Sequence, residues 1–233
     1  MAARVISISF SDGSGGEEVA VAVAGALGYP VVSEEILSRA AAEAGVSLEA
    51  VADVERRKTF MSKLMGRLVP HSAAASDPAF RHSLDAQVTA GLIGIALPLD
   101  SRPKLSDDEL RGKIRSAIDE YMAHGDVVIL AHAASHSLAG RAGVLRVFVD
   151  GSPAVRSARL AASRLISSDE ADKLVATGDV NRADYLKRFY GIDSESPAHY
   201  DIVVDTDELT VEDAVTAIVS AVESVQPGPG PTS

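Results

Sequence analysis

Residues 11–18 read Ser-Asp-Gly-Ser-Gly-Gly-Glu-Glu, three glycines set ahead of an alanine-rich run. Glycines at the mouth of a helix expose backbone N–H groups to anions, so the chemistry on offer at Gly13, Ser14, Gly15, Gly16 and Glu17 is phosphate binding. Against the full consensus G-x-x-x-x-G-K-S/T, Gly15 takes the second glycine, Gly16 the lysine and Glu17 the hydroxyl position. The lysine is missing, and Glu17 and Glu18 add negative charge where a phosphate would sit. Those carboxylates either cap the following helix or, at Glu17, hold magnesium. The same glycines also suit a tight turn or a linker.

His132 and His136 stand four apart in His-Ala-Ala-Ser-His, a spacing that can put two imidazoles on one helix face as metal ligands. No glutamate adjoins His132 and no third ligand is evident, so loop or core histidines are the better reading. No metal site is assigned.

The bulk of the chain narrows the function classes. A formal charge of −11 over 233 residues opposes a nucleic-acid backbone or an anionic membrane as main partner. There is no cysteine, which excludes disulfides and thiolate metal sites and fits a reducing compartment. No charged leader with a long apolar region opens the chain, and the apolar stretch at 88–99 is too short to span a bilayer. The expectation is a cytoplasmic protein in which residues 88–99 bury themselves within the chain or at a homodimer interface. Hydrophobic residues reach 46% while aromatics are only 4%, a balance that suits helices packed on a parallel sheet.

The elements that must position the loop follow from periodicity. Residues 4–9 alternate apolar and polar and predict a strand; 17–28 predict a helix ended by Gly28. A short strand at 29–33 and a helix at 34–45 come next. Helical stretches near 48–68, a loop near 71–78 and the apolar 88–99 form a weaker region. A helix over 107–124, opened by acidic residues, precedes the continuous apolar run 126–131, as expected of a strand buried on both faces. Strand 144–150, helix 152–167, two helical stretches at 168–177 and 180–189, strand 201–206 and helix 210–225 complete the pattern. The tail at 226–233 is Pro/Gly-rich and predicted to be disordered. Strands alternating with helices predict one α/β domain over 1–225, with three layers built on a five-stranded parallel sheet. Ligands then bind beyond the strand carboxyl ends, where 13–16, 131–135 and Asp150 converge.

The segment from Gly178 to Val215 carries a family resemblance. Asp179 three before Arg182, then a tyrosine, a lysine, "YGID", a proline and "YDIVVDT" resemble the lid and last strand of the cytidylate-kinase-like family, a branch of the P-loop nucleoside monophosphate kinases. The opening "SFSDGSGGEEVA" is similar to the family's "SREYGSGGREIA" in its glycines. "LGYPVVSEEIL" resembles "LGIPFYDKEIL", and "VLRVFVDGSPAVRSARL" the fourth strand and its helix. The resemblance runs in order through the chain except at 47–110.

It implies a P-loop kinase fold with a helical lid at 165–200, a variable acceptor-side region at 47–110, and ATP with Mg2+ as cofactors. The implied activity is phosphoryl transfer to a nucleotide or similar small acceptor. Such transfer is positioning plus charge neutralisation, which makes arginines and magnesium its main agents. The resemblance names Arg182, Arg156 and Arg159 as the catalytic arginines. It gives Asp179, Lys187 and Arg188 as lid residues and puts His132 on the acceptor side. The lysine-free loop is itself a family trait.

Three departures point one way. Phe10 and Glu17 replace the arginines that flank the family's loop, and His132 replaces the arginine of its "GRGA". Each removes a permanent cation, and Ser33 replaces the aspartate of "YDKEIL". Contacts of that kind are worth roughly 2–4 kcal/mol each in a transition state. The readings are therefore an active phosphotransferase with an unusual substrate, or a catalytically degenerate nucleotide-binding or regulatory protein.

Overall fold

The computed structural model describes residues 4–45, 106–130 and 134–225. The readings at 48–68, 71–78 and 88–99, His132 and the 226–233 tail lie outside the described residues. Five parallel strands, β1 (Val5–Phe10), β2 (Val31–Val32), β3 (Val127–Leu130), β4 (Val144–Asp150) and β5 (Ile202–Asp205), form one sheet in the order β2-β3-β1-β4-β5. The helices are α1 (Gly16–Leu27), α2 (Glu34–Ala44), α3 (Asp107–His124), α4 (Ala134–Ser137), α5 (Pro153–Arg164), α6 (Ser168–Tyr190) and α7 (Val211–Ser224). The chain leaves β1 towards β2 and leaves β4 in the opposite direction, towards β5. The crevice at the switch point thus opens between the ends of β1 and β4, where the glycine loop lies.

The period of two along β1 sorts its residues between layers. Ile6 and Ile8, with Val128, Leu145, Val147 and Val149, pack against Val19, Val23 and Ile218 of α1 and α7. Val5, Val127, Ile129 and Val144 pack on the other face against Ile36, Ile114, Leu138 and Phe189. The serines of the β1 alternation, Ser7 and Ser9, are also buried, and both hydroxyls bond Ser135 Oγ on α4, at 3.0 and 3.1 Å. A buried hydroxyl without such a partner would be destabilising, so the triad ties α4 to the sheet.

Helix boundaries follow local chemistry. Ser106 and Glu109 form a reciprocal capping box on α3, and Thr210 with Asp213 forms another on α7. The two helical stretches expected at 168–177 and 180–189 are one continuous helix, α6. Gly178 does not break it. A Cβ there would lie 2.6 Å from Asp12 Oδ2, so this glycine lets α6 approach the glycine loop.

Candidate phosphate-binding site

β1 delivers the loop directly into the crevice. Ser11 N–H donates to Val149 O at 3.1 Å, tying the loop to β4, and Ser14 N–H donates to Ser11 O at 3.0 Å, closing a tight turn. Gly13 has φ +83°, and a Cβ there would meet the Arg156 carbonyl oxygen at 2.5 Å. At Gly16 a Cβ would fall 2.2 Å from Phe10 Cβ. Gly15 caps α1 in the left-handed region without a side-chain hydrogen bond, and Val19 N–H to Gly15 O is the first bond into the helix. The first-turn amides therefore face the crevice end with the positive pole of the helix behind them. Ser14 is 1% exposed, and its hydroxyl has no hydrogen-bond partner.

Three guanidinium groups meet this loop at alternate carbonyls. Arg182 Nη1 donates to Phe10 O (3.4 Å), Arg156 Nη1 to Asp12 O (3.3 Å) and Arg159 Nη1 to Ser14 O (3.4 Å). The structure thus brings together Arg156, Arg159 and Arg182 with Gly13, Ser14, Gly15 and Gly16. With these carbonyls taken up by arginine, the loop has three cations beside it, which partly answers the absent lysine.

Each arginine is also gripped from its far side. Arg156 is almost wholly buried and forks onto Asp179, with both bonds at 2.8 Å, while its Nε donates to Gly151 O at 2.8 Å. Asp150 Oδ1 stands 3.7 Å from the same guanidinium. The hydrogen bonds that Arg156 donates to Asp179 raise its pKa above the ordinary value, against the opposing effect of burial. Arg159 donates to Thr206 Oγ1 at 2.6 Å and also to the Thr206 carbonyl.

Arg182 forks onto Glu195 at 2.6 and 2.5 Å, lies over the Phe148 ring with its Cζ 5.1 Å from the centroid, and donates to Tyr200 Oη at 3.2 Å. Tyr200 stacks on Phe148 and donates its hydroxyl to Glu195, and His136 Nε2 lies 3.9 Å from Glu195 Oε1. Burial pushes the Glu195 carboxyl up. The nearby His136 ring, hydrogen bonds from Arg182 and Tyr200, and the Arg182 charge outweigh it and hold the group at about 2. Burial, together with the carboxylate it donates to, pushes the Tyr200 phenol up, against the Arg182 charge.

The remaining expectations divide. Lys187, largely exposed, pairs with Asp193 at 2.8 Å; Arg188 pairs with Asp184 at 2.8 Å and lies over Phe189. Both pairings lie within α6 and the turn that follows it. His136 is a core histidine, its ring packed among Tyr190, His199 and Tyr200. No three His, Asp or Glu side chains converge as a metal-ligand set among the described residues. Glu195 and His136 belong to the site yet carry no sequence signal for it, because Glu195 lies in an irregular loop and its partners come from α4, α6 and the residues before β5. Tyr200 does carry one, as the tyrosine of "YDIVVDT".

Residues 5–208 match the sequence profile of the cytidylate kinase-like family. The chain belongs to that family. A cytidylate kinase from Pyrobaculum arsenaticum is 34% identical over 111 residues, 47% of this chain and 59% of that kinase, so the match spans about three-fifths of the relative's length. A crystal structure of an uncharacterized protein from Eubacterium ventriosum superposes with TM-score 0.60 at 17% identity, covering 95% of this chain and 99% of the other, a likeness of fold. The family's P-loop kinase architecture is what the strand order and the strand–loop–helix opening display. Among the described residues, no helix is long and apolar enough to cross a membrane.

The loop fits a phosphate by its own features. Two left-handed glycines form a nest, the helix behind it starts at a glycine with no side chain to cap it, and the buried Ser14 hydroxyl lacks a partner.

Proposed function

We propose that this protein is an ATP-dependent phosphotransferase whose acceptor is a nucleotide or a similar small molecule, acting in the cytoplasm. The observation that carries the reading is the α1 N-terminus, opened by Gly15 behind the glycine loop, with Arg156, Arg159 and Arg182 bonded to the loop's carbonyls. Magnesium-bound ATP supplies the transferable phosphoryl group. The loop amides orient the phosphate chain, and the arginines hold the loop rigid while raising the local potential. Positioning of this kind lowers the barrier by removing orientational freedom before the chemical step. Helix α6 packs on Asp12 of the loop through Gly178. The net charge of −11 favours a small acceptor over nucleic acid.

A second reading, a nucleotide-binding protein without turnover, is favoured by one observation. Arg156 and Arg182 each spend their fork on a protein carboxylate, and Phe10 and Glu17 supply no cation beside the loop. The two separate in one experiment: calorimetric titration with ATP and Mg2+, followed by transfer from γ-labelled ATP to a panel of nucleoside monophosphates and small hydroxylated acceptors. Binding with transfer supports the kinase, and binding without transfer across the panel supports the second reading. No binding of ATP at all would defeat both.

A further inference from the structure

Arg182 reaches the loop across a long side chain, and four χ angles must be fixed for its guanidinium to stay at Phe10 O. A flexible arginine loses rotamer freedom when it is immobilised, and that loss opposes binding. Here the protein's own groups supply the immobilisation. Glu195 takes the fork with two short bonds, Phe148 lies flat beneath the guanidinium, and Tyr200 touches both charged groups. Glu195 Oε1 also accepts from the Tyr200 hydroxyl, and the His136 ring lies 3.9 Å from the same oxygen. The fork uses Nε and Nη2, leaving Nη1 as the edge at the glycine loop.

We propose that Glu195 is a positioning residue for the phosphate site, clamping Arg182 so that its Nη1 edge stays on the Phe10 carbonyl at the start of the glycine loop. The inference rests on the phosphotransferase reading, and it assigns Glu195 no contact with substrate. The alternative role for a carboxylate here is a competitor that Arg182 must leave before it meets phosphate. The geometry favours the clamp, since Glu195 accepts bonds from Arg182 and Tyr200 at once and a competitor must be released.

The two roles predict opposite signs. Removing a negative charge near a polyanion site tightens anion binding by electrostatics alone. Weaker binding after that removal therefore reports lost positioning. The test uses the full chain with Glu195→Gln, which removes the charge, and Glu195→Asp, which keeps the charge and withdraws it by one methylene. The probes are inorganic tripolyphosphate and ATP with Mg2+, titrated by calorimetry at neutral pH on protein whose circular dichroism matches wild type. The expected result is a dissociation constant raised about tenfold in both variants, equal to about 1.4 kcal/mol. In parallel, the Arg182 Nε–H resonance, assigned through its loss in Arg182→Lys, persists in free wild type and exchanges away in Glu195→Asp.

Tighter binding in Glu195→Gln, or constants within twofold of wild type in both variants, overturns the clamp while leaving the phosphotransferase reading intact. Wild type that binds neither probe overturns both. Should Glu195→Gln fail to fold, Glu195→Asp and the resonance decide alone.

Discussion

Two arginine–carboxylate forks grip the glycine loop, and they differ in where their carboxylates sit. Arg156 is enclosed, but its partner Asp179 is 42% exposed, so that fork is half in water. Arg182 and Glu195 are both mostly buried, at 21% and 18%, and Tyr200 and His136 complete the enclosure. A charge pair that water can replace is worth little, whereas a buried one leaves an uncompensated ion when broken. The Glu195 fork therefore dominates the energetics, although the Asp179 fork lies nearer the centre of the loop.

Arg182→Met strands Glu195 among a phenol and an imidazole, so the largest loss, about 3–5 kcal/mol, is expected there. Urea unfolding at neutral pH measures it, and a loss below about 1 kcal/mol, the range of an exposed pair, would erase the difference between the forks. Acid sharpens the comparison next. Glu195 sits at about 2 when folded, below its ordinary 4.5, and its contribution is fully present above about pH 4.5. It is lost as pH falls from there towards 2, and it amounts to at most about 3 kcal/mol. Unfolding midpoints taken from pH 7 to 2 should converge for wild type and Glu195→Gln across that window. Parallel curves would show that the group titrates normally.

The third effect is smaller. Asp179→Asn leaves Arg156 with its bonds to Gly151 O and Asp12 O and with water beside the amide, so about 1 kcal/mol is expected from the same urea experiment. A loss equal to that of Arg182→Met would mean that the exposed carboxylate holds its arginine as strongly as the buried one.

Local pattern makes much of this legible. The β1–loop–α1 opening follows from alternation, glycines and an alanine-rich helix, all set within a few residues of one another. Strand β4 and helix α3 begin and end where their sequences indicate, because a buried apolar run and a capping box are short-range signals. The partners of the forks are not legible. Asp179 and Arg182 stand three apart on α6, neighbours by helical spacing, yet Asp179 pairs with Arg156 and Arg182 with Glu195. Those pairings depend on how α5, α6 and the loop before β5 come together, which no local pattern encodes. Gly178 misleads for the same reason: glycine reads as a break when only its own helix is considered, and as a contact once Asp12 is present.

The smallest effect tests the helix that carries both Asp179 and Arg182. Leu165 closes α5 just before α6 begins, with φ +55° and its side chain 93% exposed. A leucine in the left-handed region costs roughly 1–2 kcal/mol, and this one recovers nothing by burial. Glycine takes that conformation freely but adds freedom to the unfolded chain, about 0.5–1 kcal/mol against it. Leu165→Gly should therefore stabilise the protein by about 0.5 kcal/mol in urea unfolding, the difference between those two effects. The same variant asks whether the strained junction sets how firmly α6 sits on the loop. If the two forks alone hold α6 down, the affinity for ATP with Mg2+ stays unchanged as stability rises. A loss of affinity would instead locate part of the positioning of Asp179 and Arg182 in the backbone at Leu165, upstream of both carboxylates.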